Sequence, residues 1–150
     1  MITVTSLKVE SLVSPLGIAT AYPRFSWQTE SDISNFVQDA YRIELFENDK
    51  LIWDSGEVQS AESLNRGGSP RLAGCSAYNW RVSVKNQGKW TTSEMDSFET
   101  GMLYKAWKGK WIAGIHNGEV KQPVNYLRKS FQLDKDVASA RLYSTALGVY

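Results

Sequence analysis

One cysteine, one histidine and four prolines in 150 residues remove several options at the outset. Cys75 alone can neither close an intrachain disulfide nor build a cysteine-based metal cluster, and reads as an ordinary buried or turn thiol. His116 sits beside an Asn117-Gly118 turn signal and lacks the companions that a zinc site or a Ser–His–Asp arrangement requires. No glycine-rich phosphate loop is present. No apolar run approaches about 18 residues, so no membrane-spanning helix and no membrane partner is expected. A net charge of +1 supplies no basic excess for nucleic acid. No cofactor and no metal is implied. The first eight residues alternate polar and apolar types and lack the basic start and apolar middle of a secretory signal. A cytoplasmic location, or a periplasmic or secreted one after removal of a signal, both stay open.

What the chain does have is aromatic residues: six Trp, seven Tyr and five Phe. Helical periodicity is hard to find. Short alternating stretches separated by Gly, Pro, Asn and Asp dominate instead, as in a sandwich. Residues 3–9 read as a first strand with Leu7 and Val9 on one face, and Ser14-Pro-Leu-Gly17 as a turn. In Pro23-Arg-Phe-Ser-Trp27 the alternation puts Phe25 and Trp27 together. Residues 40–46 place Tyr41, Ile43 and Leu45 inward, and residues 51–54 pair back through Asn48-Asp-Lys50. Residues 60–76 read as loop. The cleanest strand is 78–85, with Tyr78, Trp80, Val82 and Val84 on one face and Asn79, Arg81, Ser83 and Lys85 on the other. A short strand at 97–100 ends at Gly101. About seven strands in about 100 residues is the size of an immunoglobulin-like sandwich.

The remaining residues, 102–150, are too few for an independent core, since a lone core below roughly 70 residues supplies only a few kcal/mol. An Asn117-Gly118 hairpin signal is followed by strands expected over 126–133 and 140–150. The last of them runs apolar to Tyr150 without a closing turn, so it reads as stopping in mid-course. The expectation is a truncated β domain whose partners lie in a longer protein, with an open edge that invites pairing of two chains into a homodimer.

Two resemblances sharpen this reading. Leu72 followed six residues later by Tyr78, with Trp80 and Val82 beyond, is similar to the fibronectin type III pattern, and Trp27 matches its second-strand tryptophan. The resemblance implies a tyrosine corner, with the Tyr78 hydroxyl bonded to the backbone upstream, a carbonyl being the expected partner. At a finer grain the chain resembles the N-terminal region of bacterial α-L-rhamnosidases. Ser14-Pro-Leu-Gly17, Pro23-Arg-Phe-Ser-Trp27, Gln38-Asp-Ala-Tyr-Arg-Ile43 and Trp53-Asp-Ser-Gly-Glu-Val58 carry it. So do Tyr78-Asn-Trp-Arg-Val82, Phe98-Glu-Thr-Gly101, Trp107-Lys-Gly-Lys-Trp-Ile112, Leu127-Arg-Lys-Ser-Phe131 and Ala140 onward. It departs locally at Asn86-Gln-Gly88, where such proteins often place an Asp. The resemblance implies a fibronectin-like sandwich, then a jelly-roll-like β domain, then an α-helical toroid that hydrolyses terminal α-L-rhamnosides with inversion and holds the catalytic carboxylates.

The expected architecture is therefore all-β: a fibronectin type III-like sandwich at 1–101, then a linker and the truncated opening strands of a second β domain at 102–150. No catalytic residue is expected. Inverting glycosidases need two carboxyls roughly 6.5–9.5 Å apart across a sugar-sized gap. Glu94, Asp96 and Glu99, and Asp134 and Asp136, instead read as surface charge. The expected role is a non-catalytic scaffold of a glycoside hydrolase, partnered by the rest of that enzyme. The alternatives are a carbohydrate-binding module, with Trp90, Trp107 and Trp111 as candidate stacking residues, or a protein-interaction module. Against sugar binding stands the reading that Trp90 covers one end of the sandwich and that Trp107 and Trp111 face a neighbouring domain.

Overall fold

The computed structural model describes residues 1–65, 67–114 and 125–146. His116, the Asn117-Gly118 signal and Tyr150 lie outside the described residues, as does Arg66. The described chain forms no helix and ten strands: β1 (Ile2–Val9), β2 (Leu16–Ile18), β3 (Phe25–Ser31), β4 (Ala40–Glu47), β5 (Lys50–Asp54), β6 (Val58–Gln59), β7 (Leu64–Asn65), β8 (Ala77–Asn86), β9 (Lys89–Thr92) and β10 (Asp96–Thr100). All fall in one compact unit, Met1–Lys105. One sheet has the order β1-β3-β7. The other runs β2-β10-β8-β4-β5, with β6 beside β4 and β9 beside β8. The chain is thus an all-β, immunoglobulin-like sandwich, as its alternation predicts.

The inward faces meet in a core of Val4, Val9, Ile18, Phe25, Trp27, Tyr41, Ile43, Leu45, Leu72, Tyr78, Trp80, Val82, Val84 and Phe98. Phe25 on the smaller sheet lies 4.7 Å from Trp80 and 6.0 Å from Phe98 on the larger one, so its ring joins the two layers. Trp27 meets Tyr41 edge-on at 5.0 Å. Its indole N–H donates to Gln38 Oε1, and the Gln38 amide donates to the Ser60 and Glu62 carbonyls. Buried polar groups must find partners, and this chain of bonds explains why Gln38 sits in an otherwise apolar interior.

In β1 the faces differ in part from the simple alternation. Leu7 and Val9 do point to the core, but so do Ile2 and Val4, which have the opposite parity. A bulge between Thr5 and Lys8, with Ser6 at φ 50°, swaps the parity in mid-strand. The segment read as loop, 60–76, contains β7, and the Ser14–Gly17 turn runs into β2, which pairs parallel with β10. The β4–β5 hairpin turns through Asn48 and Asp49, both at positive φ, the geometry that matches the twist of the flanking strands.

The tyrosine corner is present with reversed polarity. The Tyr78 hydroxyl accepts a hydrogen bond from the backbone N–H of Ala73 at 3.0 Å, where a bond to a carbonyl was expected. Without the hydroxyl this part-buried N–H would lose its partner. Replacing Tyr78 with phenylalanine strips that acceptor and is expected to cost about 1–3 kcal/mol. A urea midpoint equal to that of the parent chain would contradict the role.

Residues Ala106–Tyr150 form a second unit. Its described residues contain no strand, so the strands expected over 126–133 and over the described part of 140–150 do not form. The pattern is apolar and β-branched, but a strand exists only where a neighbouring ladder takes its N–H and C=O groups, and none of the described residues supplies one.

Candidate functional surfaces

The most tightly built feature outside the core is the end of the sandwich where β10 leaves it. Buried Thr100 donates its hydroxyl to the Ala73 carbonyl at 2.6 Å and accepts from the Ser76 N–H at 3.0 Å. Gly101 N–H bonds the Ile18 carbonyl, and the Gly101 carbonyl accepts from Cys75 N–H at 2.8 Å. Leu72 N–H bonds the Ala21 carbonyl at 2.9 Å. Gly74 lies so close to this crossing that a Cβ there would stand 2.3 Å from the Met102 carbonyl oxygen. Cys75 Sγ lies 3.4 Å from Met102 Sδ, which makes the lone thiol part of this packing. Three backbone segments, 20–22, 71–76 and 100–105, are locked into one block.

The three candidate tryptophans are all partly exposed. Trp90 is 40% exposed on β9, opposite Lys85, whose ammonium lies 5.4 Å from the ring centroid. Lys85 also pairs with Glu57 at 2.7 Å, and Gln59 donates to the same carboxylate. The indole thus covers a charged cross-strand ladder of its own molecule, an ordinary cation–π arrangement. Trp107 and Trp111, in the second unit, are 49% and 67% exposed. With Ile112, Tyr143 and Ser144 they line a groove of about 430 Å³. Trp90 belongs to the first unit.

Asp96 accepts from the Ser14 hydroxyl and from Ser97 N–H, which fixes a turn. Glu99 and Asp49 border an open groove of about 320 Å³ with Asn79 and Ser97. Protonation equilibria are shifted downwards at four described carboxyls. Hydrogen bonds from Arg24, Arg42 and Lys85 hold Glu10, Asp54 and Glu57 below the ordinary carboxylate range, and the terminal ammonium does the same for Asp32. A general acid needs the opposite shift. Among the described residues no group of three or more His, Cys, Asp or Glu could hold a metal ion.

Sequence reasoning missed the locked end of the sandwich because residues 71–76 sit in a stretch read as loop and residues 20–22 in none of the strands that were read. The available signal was Phe98-Glu-Thr-Gly101, where a buried Thr precedes a Gly. A Thr that closes hydrogen bonds beside a Gly that permits close backbone approach is what such a crossing requires.

Residues 4–104 match the family described as Rha78A-like, N-terminal immunoglobulin domain. The chain is similar to an α-L-rhamnosidase of Formosa agariphila, at 35% identity over 163 aligned positions that cover 94% of this chain and 17% of that protein. It is similar to one from Alteromonas sp. (strain LOR) at 32% identity, covering 97% of this chain and 18% of the relative. Among solved structures it superposes on Streptomyces avermitilis α-L-rhamnosidase complexed with L-rhamnose. There the TM-score is 0.70 and the identity 31%, over 77% of this chain and 12% of that one. The α-L-rhamnosidase from Dictyoglumus thermophilum gives a TM-score of 0.68 at 30% identity, over 74% of this chain and 14% of that one. The chain therefore spans less than a fifth of the length of these relatives.

Proposed function

The chain belongs to the Rha78A-like N-terminal immunoglobulin domain family, and from that premise we propose that it is the non-catalytic front region of an α-L-rhamnosidase. The observation that carries this reading is the pairing of a sandwich like those in solved rhamnosidases with coverage of only 12% of such a chain. The chemistry of the whole enzyme, water attack on a terminal α-L-rhamnoside with a general base and a general acid, belongs in this reading to the uncovered remainder. Residues 1–101 act as the scaffold. Residues 102–150 act as a linker and as opening strands whose ladder partners belong to the rest of the enzyme.

The 150-residue chain is expected to show no turnover of an aryl α-L-rhamnoside, while the full-length gene product hydrolyses it. Turnover by the short chain above a matched blank would place chemistry inside the sandwich and overturn the reading. A second reading, carbohydrate binding, is favoured by one observation: Trp107, Trp111 and Tyr143 border a common groove. It requires binding on a glycan array that is lost in Trp111→Ala.

A further inference from the structure

The exit end of the sandwich carries three exposed side chains of the types that anchor interfaces. Tyr22 is 57% exposed and Tyr104 is 65% exposed. The Arg71 guanidinium carbon lies over the Tyr104 ring, 4.1 Å from its centroid. Tyrosine and arginine are enriched among residues that dominate binding energy. All three stand on the block of locked backbone. The Leu72–Ala21 bond holds Arg71 and Tyr22 one residue beyond each bonded partner. Cys75 N–H to Gly101 O, and Lys105 N–H to Met102 O, hold the segment that carries Tyr104. Ordering costs have thus been met before any partner arrives, which is what preorganisation contributes to affinity.

Arg71 also differs from the other arginines of the sandwich in its pairing. Arg24, Arg42 and Arg81 each hold a carboxylate of their own sandwich, whereas Arg71 has no carboxylate partner among the described residues. The contact with the Tyr104 ring is not a carboxylate pairing, and the planar guanidinium fork matches a two-point acceptor.

We propose that Tyr22, Arg71 and Tyr104 form a docking surface for the downstream catalytic portion of the same polypeptide, which presents a carboxylate to the Arg71 edge. This rests on the scaffold reading above. The choice of occupant follows from continuity. Tyr104 lies three residues beyond Gly101, so the chain leaves the sandwich through this surface. A tethered partner docks intramolecularly, at high effective concentration, and needs only a small patch.

Hydroxyl-radical footprinting of the full-length gene product beside the 150-residue chain tests the proposal. The expected result is Tyr22 and Tyr104 oxidation several-fold slower in the full-length protein, with the difference abolished by Arg71→Glu. The 150-residue Arg71→Glu chain should keep its urea midpoint, because Arg71 is exposed; Tyr104→Ser serves as a second variant. Equal oxidation of both tyrosines in the two proteins would overturn the proposal. Protected tyrosines in a full-length protein that fails to turn over rhamnosides would uphold the docking while removing the proposed activity. A reading frame that stops after codon 150 would remove both.

Discussion

Phe25→Ala should be the most damaging single truncation in the sandwich, with an expected loss of about 3–5 kcal/mol. Phe25 is fully buried and touches Trp80 and Phe98 across the two sheets. Its removal forfeits the transfer free energy of the ring and leaves a void between layers that cannot close without shifting both. A domain of this size has a total stability of about 5–15 kcal/mol, so a large share goes with one ring. Urea denaturation followed by tryptophan fluorescence is the measurement, and a midpoint lower by about 1 M or more is the expected outcome. A variant that unfolds at the parent midpoint would show that the sheets are not joined through this residue.

The second large effect belongs to a residue with no side chain. Gly74→Ala places a Cβ 2.3 Å from the Met102 carbonyl oxygen and 2.9 Å from its carbon. Both are backbone atoms, so no rotamer change relieves the clash. Either the 71–76 segment or the 100–105 segment has to move, and the Cys75–Gly101 bond weakens with it. Overpacking of this kind costs typically 1–3 kcal/mol, about the upper end being expected here. Gly67→Ala is the matching control: nothing lies within 4 Å of a Cβ at that position. A drop in urea midpoint for Gly74→Ala and none for Gly67→Ala is the expected pair of results. Equal midpoints for the two variants would remove the argument from close approach.

Where one face of a strand is buried and the other solvated, the pattern was plain to read. In β8 the residues Tyr78, Trp80, Val82 and Val84 face the core, and their neighbours form the charged ladder with Glu44 and Glu57. β4 and the start of β3 were legible for the same reason. Two-residue strands such as β7 left no pattern, since alternation needs several residues to show. The strand at Lys89–Thr92 escaped because Trp90 on its outer face breaks the expected polarity. The bulge at Ser6 was hidden by its own effect: it puts residues of both parities on one side, which simple alternation cannot distinguish from a weak strand. The apolar runs after residue 125 show the opposite case, a strand-like composition with no ladder among the described residues. Local composition states what a segment prefers, while the ladder partner is a tertiary fact.

The candidate sites divide along the same line. Exposure of Trp90, Trp107 and Trp111 could be suspected from their neighbours, yet the partner that occupies one ring, Lys85, is fixed only by cross-strand register. Arg71 and Tyr104 lie 33 residues apart in number and meet only because Thr100, Gly101 and Gly74 draw their segments together. No short-range pattern encodes such a meeting.

The bulge that turns β1 has one more consequence. It divides the rim of the smaller sheet into two short pieces, and the other rims are short as well: β2 has three residues, β7 two, β9 four, and β5 carries an irregularity within its five. Among the described residues of the sandwich, no straight margin offers a foreign chain a long row of unpaired amides on which to grow a fibril. Clumping of this domain would then start from an opened interior rather than from the intact fold.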